Sequence, residues 1–113
     1  MINDFDKRIF SLLIVECNRL IEVCDKYNEQ EIISNYILSD AIQYEFEKLF
    51  EDISRLSKEI QNNPALHFNE LRGIRNRIAH NYESVSLSIL IETVKKDIPL
   101  LKGILKNYFE INN

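Results

Sequence analysis

The stretch DFDKRIFSLLIVECNRLIEVCDKY, residues 4–27, decides the fold. Its apolar residues Phe5, Ile9, Leu12, Leu13, Cys17, Leu20, Cys24 and Tyr27 recur at spacings of mostly three and four, the period of one helix face. The spacing predicts a helix from Asp4 to Tyr27. Asn3 stands as its N-cap, able to accept from the first free amides, and Asp6 brings negative charge to the positive helix end. A stripe of this kind needs partner faces, which the rest of the chain must supply.

Working outward, Ile32, Ile33, Tyr36 and Ile37 suit a short helix or connector between Asn28 and Leu38. Ile42, Phe46, Leu49, Ile53, Leu56 and Ile60 then form a second long stripe, opened by Asp40 as N-cap with Gln43 in the reciprocal capping position. Asn62-Asn63-Pro64 stops it. A shorter helix carries Leu71, Ile74 and Ile78 on one side and ends near His80. The last begins after Ser86 and holds Leu87, Leu90, Val94, Ile98, Leu101, Leu105 and Tyr108 in register. Pro99 lies inside it, which predicts a kink near Lys95 to Ile98 or a break and restart. Four main amphipathic helices plus the short one make an all-α antiparallel bundle the expected architecture.

The 113 residues contain no interior stretch rich in glycine, serine or proline, so residues 1–113 form one domain. Apolar residues are 45% of the chain and charged ones 28%, enough for both a core and a solvated surface. Two glycines and two prolines are too few for the tight turns of a many-stranded sheet. No apolar run approaches the roughly 20 residues that cross a bilayer, and Met1-Ile2-Asn3-Asp4-Phe5-Asp6 lacks the basic region of a signal sequence. A cytoplasmic protein with no membrane association is expected. Cys17 and Cys24 are seven apart, about 10 Å along a helix, beyond disulfide reach, and this is not metal-ligand spacing. They read as two half-buried thiols, and neither a metal site nor a cofactor is expected.

Net charge is −4 and the isoelectric point about 5.2, so the general attraction behind non-specific nucleic-acid binding is missing. Any RNA contact must be local. Basic residues concentrate at Arg72, Arg75 and Arg77. Of the two histidines, His80 follows this cluster and could exchange a proton near neutral pH, whereas His67 leads into a helix with no acidic or cationic partner nearby and reads as structural. On a regular helix Arg75 and His80 would lie roughly 140° apart. Either the helix unwinds before His80, or two subunits combine their residues across a symmetry axis. Spacing alone favours a solvated, salt-bridged arginine face with His80 and Tyr82 ending the helix, because an Arg, four residues, His pattern is short and degenerate.

The run Leu71-Arg72-Gly73-Ile74-Arg75-Asn76-Arg77-Ile78-Ala79-His80-Asn81-Tyr82 resembles the signature of HEPN domains, in particular the HepT-like toxins, whose pattern is Arg, four residues, His, one residue, Tyr. Val85-Ser86 leading into Lys96-Asp97-Ile98-Pro99-Leu100-Leu101 resembles that family's final helix, and Asp40-Ala41-Ile42 through Ser57-Lys58-Glu59 its long central one. Phe68 stands where the family often has tryptophan. Leu49-Phe50-Glu51-Asp52 replaces a segment that usually carries glycine before the glutamate.

The resemblance implies a HEPN-like bundle and a metal-independent endoribonuclease, the toxin of a toxin–antitoxin system. Arg75 and His80 would be the residues essential for cleavage, with Asn76 assisting and Arg72 and Arg77 contacting RNA. Attack by the RNA's own 2′-hydroxyl would leave a 2′,3′-cyclic phosphate and a free 5′-hydroxyl. The implied partners are the RNA substrate, a second copy of the chain in a homodimer, and a minimal nucleotidyltransferase antitoxin. That antitoxin would attach AMP to Tyr82 (AMPylation), which otherwise reads as a helix-end aromatic packed with its hydroxyl wet. The alternative is a non-catalytic HEPN module that binds a nucleotidyltransferase or a nucleotide.

Overall fold

The computed structural model describes residues 2–79 and 84–113. Among the described residues six helices follow one another: α1 (Asp4–Lys26), α2 (Glu29–Ser34), α3 (Tyr36–Arg55), α4 (Lys58–Gln61), α5 (Phe68–Ala79) and α6 (Ser84–Asn112), with a 3-10 turn at Pro64–Leu66 between α4 and α5. There is no strand among the described residues, and the longer helices α1, α3, α5 and α6 pack into the expected all-α bundle.

The α1 helix forms where its pattern puts it. Asn3 caps it, its side-chain oxygen accepting from the Asp6 amide at 2.8 Å. The buried face is Asp6, Ile9, Phe10, Leu13, Glu16, Cys17, Leu20 and Cys24, so Phe10 belongs to the core, while Phe5 and Leu12, expected in the stripe, are exposed. Phe5 instead lies under the Arg55 guanidinium, 5.7 Å from ring centroid to carbon. The thiols are buried outright rather than half-buried. Burial pushes Cys17 up to about 12 and Cys24 up to about 11, which keeps both protonated and unreactive.

Two partners cover this face of α1. Asp6 Oδ1 accepts from the Ser57 amide at 3.0 Å, and Arg19 pairs with Glu45 at 3.3 Å, so rising α1 numbers meet falling numbers from α3 onward. Phe10 stacks on Tyr108 with centroids 5.6 Å apart, and the Ile2 amide donates to the Asn112 carbonyl at 3.2 Å. The α1 helix therefore runs antiparallel to both α3 and α6.

Several boundaries depart from the expected ones. The short helix α2 is real, closed by a reciprocal capping box between Asn28 and Glu31. The α3 helix starts at Tyr36 under Asn35, four residues before the expected cap Asp40, which is exposed inside the helix. Gln43 does not reach back to a cap and donates to the Ser39 carbonyl at 3.1 Å. Nor does the stripe run unbroken to Ile60: Leu56 is extended, and Ser57 turns its amide to Asp6 before α4 begins. The α6 helix starts at Ser84, leaving Ser86 buried within it rather than capping it, and continues as one element past Pro99. Lys95 and Pro99 both lie on the exposed side, so water can take the Lys95 carbonyl that lost its amide donor.

One polar pair lies inside the α1–α3 interface. Glu16 is 1% exposed and Asp52 2%, and among the described residues no N–H or hydroxyl donor reaches either Glu16 oxygen or Asp52 Oδ2. A proton kept by one carboxyl and donated to the other satisfies them. Burial, reinforced by the Asp52 carboxylate, pushes Glu16 up to about 8. For Asp52, burial acts upward too, but the hydrogen bond from Glu16 and the charges of Arg55 and Lys48 outweigh it and hold the carboxyl below its ordinary value. Arg55 Nη1 donates to Asp52 Oδ1 at 3.0 Å.

A raised carboxyl makes the fold favour low pH. Below about 4.5 the Glu16 proton is present folded and unfolded, and between there and about 8 only the folded protein keeps it. Stability should fall as pH rises through this window. Asp52 has the opposite sign, and its contribution is lost only in acid below the aspartate range. Thermal melts from about pH 5 to about pH 8 should show a falling midpoint for the wild type and a nearly flat one for Glu16→Gln, whose amide can still donate to Asp52. An equal fall in Glu16→Gln would move the titration to another group.

Candidate functional site

The α5 helix carries the sequence that singled itself out. It begins after His67, whose φ of 56° places it in the left-handed region, a conformation that histidine tolerates better than most residues. That residue closes the 3-10 turn, its amide donating to the Pro64 carbonyl at 3.3 Å. Beyond it Phe68, Leu71 and Ile78 are buried and Ile74 half-buried, as the helical spacing requires. Phe68 is a full core residue, so phenylalanine meets the packing demand at that position. His67 itself is exposed, and its Nδ1 lies 3.2 Å from Glu70 Oε1, an acidic partner one turn on that the sequence reading did not anticipate.

The three arginines do not form one patch. Arg72 Nη2 donates to Gln61 Oε1 at 2.7 Å and its Nη1 to Asn69 Oδ1 at 3.2 Å. Gln61 in turn donates through Nε2 to the Ser54 and Leu56 carbonyls at 3.0 and 2.6 Å. Arg72 thus closes a clasp between α5 and the end of α3, where the helix leaves carbonyls without intrahelical partners. Arg77, two positions beyond Arg75 and hence on the far side of the helix, is exposed together with Asn76.

Arg75 faces α3. Its Nη2 donates to Glu47 Oε2 at 3.1 Å, and its guanidinium carbon sits 5.7 Å from the centroid of the Phe50 ring. The Arg75 and Glu47 side chains are each 39% exposed, whereas Phe50 is 4% exposed and packs edge-on against Phe46 at 5.0 Å. Arg75 Nε is buried with no hydrogen-bond partner among the described residues. An ion pair this open to solvent stabilises by no more than about 1 kcal/mol. Its main consequence is geometric: Nη2 is engaged, Nε is buried, one face lies on an aromatic ring, and the side chain is otherwise partly open to solvent.

Phe50 and Glu47 were missed by the sequence reading, which singled out Leu49-Phe50-Glu51-Asp52 only as a departure from the family it resembles. Phe50 does pack, on Phe46, and it also lies beneath the arginine of the motif. A usable signal existed in their spacing: Glu47 and Phe50 are three apart and share a helix face. What the sequence withheld was that α5 would cross α3 there. His80, Asn81 and Tyr82 lie outside the described residues, so the geometry reported is that of Arg72, Arg75, Asn76 and Arg77. No group of three or more His, Cys, Asp or Glu able to hold a metal ion occurs among the described residues, and no described helix is long and apolar enough to cross a membrane.

The family described as "Ribonuclease HepT-like" matches residues 13–108. A protein of Thermococcus cleftensis named a probable ribonuclease HepT is 28% identical over 88 residues, covering 74% of this chain and 80% of that protein. A protein of Caldanaerobacter subterraneus named as a candidate RNase is 26% identical over 99 residues, 87% of this chain and 88% of its own. Another so named, from Methanocaldococcus jannaschii, is 29% identical over 103 residues, 86% of this chain and 91% of its own. No solved structure matches the chain.

Proposed function

Because the chain belongs to the HepT-like ribonuclease family, we propose that it is the toxin of a toxin–antitoxin pair and a metal-independent endoribonuclease, with Arg75 and His80 as its reacting groups. The observation that carries this reading is Arg75 itself. It is held at the α5–α3 crossing with part of its guanidinium open to solvent, five residues before His80 in the family's motif.

In this mechanism Arg75 binds the scissile phosphate and offsets the negative charge that builds as a ribose 2′-hydroxyl attacks. His80 takes the proton from that hydroxyl or delivers one to the departing 5′-oxygen. The phosphorus–5′-oxygen bond breaks as the 2′-oxygen bond forms, leaving a 2′,3′-cyclic phosphate and a free 5′-hydroxyl. In this reading Asn76 assists at the same phosphate group and Arg77 contacts the RNA strand; both are exposed, which is compatible with these roles. Arg72 already spends two donors on Gln61 and Asn69, so its service to RNA is indirect, through the placement of α5.

Three outcomes test the reading. Arg75→Ala and His80→Ala should each lower cleavage of single-stranded RNA by about 100-fold or more while keeping the fold, because each removes a group acting on the reacting atoms. His67→Ala should cleave as the wild type does, EDTA should change nothing, and a DNA strand of the same sequence should stay intact. Loss of activity in EDTA, or an unimpaired His80→Ala, would refute the assigned chemistry and favour a non-catalytic module.

The second outcome concerns assembly. A homodimer whose interface includes α5 brings each Arg75 toward its symmetry mate and doubles the local positive charge. Sedimentation at micromolar concentration should give the mass of a dimer. A monomer that cleaves RNA at full rate would restrict the site to one chain.

The third concerns control. Coexpression with a cognate nucleotidyltransferase should place AMP on Tyr82, read by mass spectrometry, since a phosphodiester two residues from His80 adds negative charge and bulk where the RNA phosphate must bind. Tyr82→Phe should remain toxic beside that partner. If Tyr82→Phe is neutralised as well as the wild type, the antitoxin works by binding alone.

A further inference from the structure

Arg75 reaches its place across a helix crossing with few other ties. The α5 helix packs chiefly on α6, and among the described residues its side-chain hydrogen bonds to α3 and α4 are the Arg72–Gln61 clasp and, one turn on, Arg75 with Glu47. An arginine has four side-chain torsions and loses its catalytic orientation unless something fixes them. Here three different parts of the group are constrained. The Nε end is buried, Phe50 lies beneath one face at 5.7 Å, and Glu47 holds Nη2 at 3.1 Å. Glu47 engages Nη2 through one of its oxygens and Nε is buried, so the donors left for a phosphate are those of Nη1 and the second N–H of Nη2.

We propose that Glu47 is a positioning residue for Arg75: with Phe50 as the platform, it fixes the plane and rotation of the guanidinium so that the open N–H edge faces the RNA phosphate. This rests on the reading of Arg75 as the phosphate-binding group. Glu47 touches no substrate in it and acts only through the arginine. Its charge partly neutralises Arg75 in the empty site, while its orientation removes the rotational freedom that a phosphate would otherwise have to freeze. Orientation therefore appears in turnover rather than in affinity.

The test compares wild type, Glu47→Ala, Glu47→Gln and Arg75→Ala on one single-stranded RNA oligonucleotide, with kcat and KM measured separately. Glu47 is half-exposed, so both variants should fold, and circular dichroism melts check this. Glu47→Ala should lower kcat by about 10- to 100-fold, with KM within about threefold of wild type. Glu47→Gln keeps a neutral acceptor in the same place and should retain most of the activity. A Glu47→Ala that cleaves as fast as wild type overturns the proposal, and one that binds RNA more tightly and cleaves faster makes Glu47 a competitor of the phosphate.

A readout without RNA separates this from the functional reading. The Arg75 guanidinium signals in nitrogen-resolved NMR, assigned by their loss in Arg75→Lys, should show slowed rotation in wild type and Glu47→Gln and free rotation in Glu47→Ala. Free rotation in wild type overturns the positioning role even where the protein cleaves RNA. Slowed rotation in a protein whose cleavage is indifferent to Arg75→Ala upholds Glu47 as the arginine's holder while refuting the functional reading itself.

Discussion

The structure depends on one constraint: α1 has more apolar surface than a single neighbour can cover. Ile9, Phe10, Leu13, Cys17 and Leu20 are buried almost completely, and their faces point toward α3 on one side and α6 on the other. Burying a side chain of this size contributes on the order of 1.5–3 kcal/mol, so leaving either flank uncovered would cost more than a small domain can spare. Once α3 and α6 are fixed antiparallel to α1, the chain between them must cross from one to the other. The α4 helix, the 3-10 turn and α5 are that crossing. Arg75 sits on α5, which spans two elements already held in place by a third.

The α1–α3 interface is not a plain apolar seam. Asp6, Glu16 and Arg19 on one helix answer Ser57, Asp52 and Glu45 on the other side, at three levels of an otherwise hydrophobic contact. Polar groups in such a place are satisfied in only a few registers, and sliding α3 by one turn would strand the Glu16–Asp52 proton and free the Ser57 amide together. The result is a register lock. The lock also holds Phe50 and Glu47, which lie on α3 between Glu45 and Asp52, opposite Arg75.

Much of this was legible in the sequence. The α1 limits, its Asn3 cap and the apolar stripes of α3, α5 and α6 all follow from spacing. Boundaries failed where two signals competed. Asp40 reads as a cap, yet Asn35 caps five residues earlier, because Tyr36 and Ile37 continue the helical pattern at small cost even though both are exposed. Pro99 reads as a kink or a break and restart, and of these the break does not occur: its position on the wet side of α6 lets solvent absorb the lost hydrogen bond. The site divides the same way. The motif named Arg75, but nothing local to α5 distinguishes Arg72, which closes a structural clasp, from Arg75, which stays partly open. That difference belongs to Gln61 and Glu47, 11 and 28 residues away in sequence, and appears only when α3, α4 and α5 are brought together.

This division of labour bears on how an acidic protein could hold RNA at all. With a net charge of −4 there is no general field to draw in a polyanion, and the structure narrows the local supply further. Arg72 is engaged, Arg75 shares its charge with Glu47, and Arg77 points away from both. The Arg72 charge is bonded only to the neutral side chains of Gln61 and Asn69 and so is not cancelled, but a single copy does not gather the three arginines into one patch that could hold a phosphate against physiological salt. On the proposed reading, a second copy supplies the missing charge, and the Glu47 carboxylate then has a second use. Two unpaired guanidinium groups facing each other across a symmetry axis would repel, and an acidic partner on each lets them approach before RNA arrives. A positioning carboxylate and a composite site are thus complementary answers to one electrostatic problem, the gathering of positive charge on a chain that has little of it.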